Sequence, residues 1–304
     1  MALPSLGLEI PAFGALAALS ATALGATRVE LNALGSYGEG GLTPSLEDLK
    51  QFTSTLDQRP PLRIMIRPRG PPRVPLSSGA IGASERDFHY NDEEFEEMEA
   101  RINAFKGTGL LDANLGDGFV FGILEKSRLG EGEDCTRGRR CWVDEKRCIR
   151  LVQAAQPFKC VFHRAFDEIV SCDDATSDRS ARPAWETGLE AIAACGFDGI
   201  LTSGGLGKAI NNTEILAKII QKAPALRVEI IVGGGVRTAN VGEIIQRLEL
   251  RARADSVYVH SACLHGDGSE HIDHEEVQGI VTQSKPMLER DSTNPNTTQT
   301  DPLS

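Results

Sequence analysis

The sequence predicts a single (β/α)8 TIM barrel of the α/β class, and three observations carry that prediction. Short apolar runs alternate with helix-period segments along the chain. The runs are near-continuous rather than strictly alternating, as in Glu229-Ile230-Ile231-Val232, the pattern of parallel strands buried on both faces. Polar side chains then gather where each run stops, the end at which a barrel assembles its site. A doubly wound open sheet is the alternative, because periodicity does not say whether a sheet closes.

Eight strands are expected, at 6–10, 28–31, 62–67, 118–124, 159–162, 199–202, 228–232 and 256–260. Helices are expected after them, at 13–24, 45–56, 92–105, 144–154, 185–194, 213–222, 240–248 and 273–288. Two starts carry cap signals: Thr43-Pro44-Ser45 with Asp48 three residues beyond Ser45, and Asn91-Asp92 before an acidic first turn. The apolar stretch 11–26 resembles a signal peptide, but Glu9 precedes it and no Lys or Arg occurs before Arg28. It is also too short to cross a bilayer, so a buried first helix is expected. Three segments, 70–87, 125–141 and 171–183, read as loop insertions between a strand and its helix. The barrel is assigned to residues 1–288, and 289–304, almost without apolar residues, to a disordered polar tail.

Composition bounds the partners. With 304 residues, 40% hydrophobic and 25% charged, the chain reads as globular with a sizeable core. Its formal net charge of −11 argues against nucleic acid, and the lack of basic tracts argues against a membrane surface. Seven cysteines without a C-x-x-C pair suggest reduced thiols and a cytoplasmic protein rather than a disulfide framework. Cys135, Cys141 and Cys148 lie close in sequence at no recognised spacing.

The strand ends supply the candidate site. Glu9 and Glu30, on neighbouring strands, are a carboxylate pair suited to acid/base work, or else structural charges neutralised by Arg67 or Arg164. His163 and Asp167, in Phe162-His163-Arg164-Ala165-Phe166-Asp167, join them as catalytic candidates, His163 alternatively being a hydrogen-bonded core histidine. Arg67 and Arg69, braced by Pro68, and Arg164 offer guanidinium donors to a carboxylate or phosphate. Thr202, Ser203, Gly204, Gly234 and Gly235 lie in glycine-rich turns where backbone amides can approach an anion, with His260 on the next strand. The bland alternative is tight turns needing positive φ. Beyond the eighth strand, Cys263 and His265 are candidate metal ligands in a run that also holds His271 and His274, or these are simply a solvated loop. Lysine is nearly absent from the strand ends, Lys126 being the near one, which speaks against a Schiff-base aldolase.

Taken in order, VELN…EGGLTPS (29–45), MIRPRG (65–70), FHRAFD (162–167), ILTSGG (200–205), GGGVR (233–237) and VHSA (259–262) resemble the CutC copper-homeostasis family across about residues 6–263. The resemblance implies a cytosolic (β/α)8 barrel, usually a homo-oligomer, associated with copper, and no organic cofactor. Many relatives carry thiols where this chain has Pro11 and Asn32, and Cu(I) prefers soft sulfur ligands. Three functions stay open: copper homeostasis through Cu(I) binding, an enzyme acting on a small phosphorylated or carboxylated anion at the rim, and a non-catalytic oligomeric scaffold.

Overall fold

In a computed structural model, which describes residues 5–56, 58–72, 87–126, 141–172 and 182–286, eight parallel strands close into a barrel. They are β1 (Gly7–Phe13), β2 (Arg28–Asn32), β3 (Leu62–Met65), β4 (Gly118–Phe121), β7 (Lys159–Phe162), β8 (Gly199–Thr202), β9 (Glu229–Val232) and β10 (Val257–His260). Each pairs with its neighbour and β10 returns to β1, so the expected closed sheet is formed and the open-sheet alternative is excluded. The remaining two strands among the described residues, β5 (Leu124–Lys126) and β6 (Cys141–Val143), pair antiparallel between β4 and the next helix.

Helices α1 (Ala15–Leu24), α2 (Leu46–Thr55), α3 (Asp92–Gly107), α4 (Glu145–Ala155), α6 (Ala184–Ala194), α7 (Thr213–Leu226), α8 (Thr238–Arg247) and α9 (His274–Ser284) flank the sheet. The expected caps are in place. Ser45 and Asp48 bond reciprocally at α2, and Asn91 and Glu94 do so at α3. The apolar stretch beyond β1 forms α1, and among the described residues no helix is long and apolar enough to cross a membrane.

Boundaries shift for local reasons. α9 stops before residue 288 because Pro286 holds Lys285 in an extended conformation (ψ 153°). The fourth strand ends at Phe121, and Leu124 belongs to β5. A short helix, α5 (Ala165–Val170), follows β7 at once and takes up most of the FHRAFD stretch. The interiors of the three loop insertions and the polar tail lie outside the described residues.

Alternation along the strands builds two cores. Outward-facing residues such as Ile10, Val29, Ile64, Phe119 and Ile230 pack under the helices. Met65, Val120, Val161, Leu201 and Ile231 form a smaller apolar cluster inside the barrel, with Tyr258 against it. Several other inward positions are charged. Arg28, Arg63 and Glu229 sit near the strand starts, and Glu9, Glu30 and His260 sit higher.

Candidate functional site

Parallel register sets the charged centre. Glu9 pairs across to Arg28 on β2 and to His260 on β10, so three ionisable side chains converge inside the barrel. Glu9 is thus within the barrel rather than at its rim, because β1 continues four residues past it to Phe13. Its Oε2 accepts from Arg28 Nε, and its Oε1 lies 2.8 Å from His260 Nδ1. Arg28 also bonds Glu229 at 2.8 Å and lies 3.7 Å over the Tyr258 ring. The partner of Glu9 is therefore Arg28, not the Arg67 or Arg164 expected as neutralising charges. Burial alone would raise the Glu9 carboxyl, but Arg28 and the His260 bond outweigh it and hold the group at about 2.

Among the described residues Glu30 has no arginine paired with it. Its Oε1 accepts from Asn32 Nδ2 at 3.1 Å, while Oε2 is buried without a hydrogen-bond partner among the described residues. Burial pushes the Glu30 carboxyl up, His260 pulls against this, and the Glu9 charge adds to the rise. For His260 burial works downward, but the Glu9 bond and the Glu30 charge raise it. One ligand-capable atom each from Glu9, Glu30 and His260 lies within 4.8 Å of the others, so these three could hold a metal ion.

A cavity of about 510 Å³ opens at the C-terminal ends of the strands. Of the residues singled out from sequence, Glu30, Arg67, His163, Arg164, Gly234, Gly235 and His260 line it. The His163 ring accepts the Ala165 amide at Nδ1 (3.3 Å) and lies against Phe88, with centroids 4.6 Å apart. Its Nε2 therefore carries the proton, and it is buried without an acceptor among the described residues. Burial first, then the Arg67 charge, pushes the imidazole down to about 3, so it is a neutral donor rather than a general base. Arg67 is largely spent, donating to the Gly41 carbonyl at 2.9 Å and pairing with Asp87 at 2.9 Å.

The two glycine-rich turns diverge. After β8, Asp167 accepts from Thr202 Oγ1 (2.6 Å), the Ser203 amide (3.0 Å), Ser203 Oγ (2.7 Å) and the Gly205 amide (3.3 Å). Gly204 donates to Thr202 Oγ1, and Arg164 Nε closes on Asp167 at 2.8 Å. Thr202, Ser203, Gly204 and Asp167 thus form an internal network outside the cavity lining, not the anion site and catalytic acid expected of them. After β9, by contrast, the amides of Gly234, Gly235 and Val236 make no hydrogen bond among the described residues. All three residues line the cavity, just ahead of α8.

Other expected residues go elsewhere. Arg69 turns to α3 and bonds Glu94 at 2.5 Å and the His89 carbonyl at 2.6 Å. Cys263 is wholly buried with its thiol pushed up to about 11 by burial, and His265 is exposed with Asp273 at 3.5 Å. Neither belongs to the three-ligand group found among the described residues. Cys148 is sealed in the core, Cys135 lies outside the described residues, and Cys141 meets Cys172 with sulfurs 3.1 Å apart.

Sequence reasoning passed over Tyr37, Glu39, Asp87, Phe88 and Arg237, which also line the cavity. Two of them carried a signal, Glu39 as the first residue of EGGLTPS and Arg237 as the last of GGGVR. Pro11 and Asn32, noted for the thiols they replace, are wall residues too, and no cysteine among the described residues lines this cavity.

The comparisons agree with this architecture. A profile described as CutC family matches residues 8–261. A CutC family protein of Mesorhizobium japonicum is 33% identical over 244 residues, covering 80% of this chain and 74% of its own. The human protein named copper homeostasis protein cutC homolog is 30% identical over 229 residues, 75% of this chain and 65% of its own. A crystal structure of a CutC protein from Streptococcus agalactiae superposes with a TM-score of 0.60 at 25% identity, over 84% of this chain and 98% of that one. With its closed barrel, its ordered strand-end motifs and a profile match spanning nearly the whole fold, the chain belongs to the CutC family.

Proposed function

We propose that the protein is an enzyme acting on a small phosphorylated or carboxylated molecule in the cavity at the C-terminal end of its barrel. One observation carries this reading: Gly234, Gly235 and Val236 line the cavity ahead of a helix, and their three successive amides have no acceptor among the described residues. Backbone amides left without acceptors in a glycine-rich turn that leads into a helix can hold an anionic group. The rest of such a molecule then lies among Glu30, His260 and the His163 Nε2–H, which together can donate to and accept from a reacting oxygen.

The test is calorimetric titration with inorganic phosphate, followed by a thermal-shift screen of small phosphorylated and carboxylated compounds. Gly235 has φ +69°, a conformation that Asn and Asp tolerate best among side-chain-bearing residues. Gly235→Asp should abolish phosphate binding by placing a carboxylate at the amides, while Gly235→Asn should retain most of it. Equal binding by both variants would remove the anion from this turn.

The copper association of the family's name fits the cavity poorly, because its donors are oxygen and nitrogen whereas Cu(I) prefers sulfur. A Cu(I) reading is favoured instead by the contact between Cys141 and Cys172, beside the β5–β6 pair. An anaerobic Cu(I) titration against a competing chelator tests it. Binding lost in Cys172→Ser but kept in Cys263→Ser supports the pair, and binding unchanged in Cys172→Ser sinks it.

A further inference from the structure

We infer that Glu9, Glu30 and His260 form a binding site for a divalent first-row metal ion, with Zn2+ and Mn2+ as the best-matched probes. This deepens the reading of the mouth as a reaction site and rests on it for what the ion does there, whereas the ion's binding is measured without any substrate.

Three features of the geometry point the same way. The Glu30 carboxylate is clamped on one oxygen and left open on the other, while Glu9 shares its second oxygen with His260, a bond that an entering ion would replace. Arg28 Nε holds Glu9 Oε2, leaving Oε1 toward His260, and the Asn32 amide holds Glu30 Oε1, leaving Oε2 without a partner among the described residues. Groups that fix one side of a ligand so that the other presents to an ion are the usual support of a metal centre. Burial is the second feature. Glu30 is 3% exposed and Asn32 1% exposed, and the orphaned Glu30 Oε2 and Asn32 Oδ1 are the kind of buried oxygens that demand a partner. Charge is the third. Arg28 divides its guanidinium between Glu9 and Glu229 and His260 bonds Glu9, so among the described residues Glu30 is left without an ion pair and a dication would offset its charge.

The donor set then selects the ion. Two carboxylate oxygens and one imidazole nitrogen suit Zn2+ or Mn2+ rather than a soft monovalent ion. Glu30 and His260 line the cavity while Glu9 lies beneath, so the open coordination positions face the space where an anionic substrate would sit. Three protein ligands with an open position is the arrangement of a catalytic rather than a structural ion.

The experiment is isothermal titration of the full chain, stripped with chelator, using Zn2+ alone and Mn2+ alone, with metal content checked by elemental analysis after dialysis. One ion per chain is expected. Glu30→Gln and His260→Gln should each weaken its affinity at least roughly 10-fold, and His265→Ala, in the exposed histidine loop, should leave it unchanged. Circular dichroism melting establishes that each variant is folded, and His260→Gln, altering a side chain only 12% exposed but at the open mouth, keeps the test usable if Glu30→Gln does not fold. Gly235→Asp separates the two readings: it should keep the ion while losing phosphate. The site is overturned if no ion binds at one per chain, if folded Glu30→Gln and His260→Gln bind as the wild type does, or if His265→Ala removes the ion.

Discussion

Two glycine turns on neighbouring strands carry almost the same local chemistry and have opposite fates. The turn after β8 has Gly204 at φ +76° and Gly205 at φ +130°; the turn after β9 has Gly234 at φ +94° and Gly235 at φ +69°. In the first, the donors are consumed by Asp167, a carboxylate delivered by α5 from the adjoining strand. In the second, no such carboxylate arrives among the described residues, and the amides, on residues that line the cavity, keep no acceptor there. A glycine-rich strand end is thus a supply of donors, and the neighbouring loop decides whether the protein or a ligand uses them.

The largest expected effect comes from emptying the filled turn. Asp167→Ala leaves the buried donors of Thr202, Ser203 and Gly205 without their acceptor, so stability should fall by about 3–5 kcal/mol. Urea denaturation measures this. A loss below about 1 kcal/mol would mean that both turns are equally dispensable to the fold, which breaks the contrast.

A second effect tests the β7–α5 corner that delivers Asp167. His163 faces Arg67, itself paired with Asp87, and the Phe88 ring. Its imidazole takes a proton near 6.5 when unfolded but only at about 3 when folded. Its contribution is therefore fully present above pH 6.5 and is lost as pH falls toward 3, by up to about 1.4 kcal/mol per pH unit. The measurement is the wild-type stability curve from pH 7 to pH 4 against that of His163→Gln. Parallel curves would mean that the ring is not held neutral.

The smallest effect sharpens the comparison at the glycines themselves. At Gly204 an added Cβ would stand 2.8 Å from Leu216 Cγ and 3.0 Å from the Asn212 carbonyl oxygen, at φ +76°. Gly204→Ala should cost about 1–3 kcal/mol. At Gly235 the nearest atoms belong to the exposed side chain of Lys208, which can move, so Gly235→Asn should cost less. Thermal melts of the two variants decide the order.

The sequence by itself determined the barrel, because a parallel strand buried on both faces needs a continuous apolar run and each crossover needs a helix with its own start and stop. Both are local requirements, and they are visible at Glu229–Val232 and at the Ser45 and Asn91 caps. It also marked Glu30, His163, His260, Gly234 and Gly235, since polar or glycine residues that close an apolar run are exposed as anomalies on one line of text. The tertiary structure alone decided the pairings. Arg28, at the start of a strand, meets Glu9 only through the register of β1 with β2. Asp167 reaches a turn 36 residues away, and Cys141 finds Cys172 rather than Cys148. The physical reason is that folding brings donors and acceptors together across loops of unrelated sequence. Which of them remain free for a ligand is a property of the closed barrel and of no single segment within it.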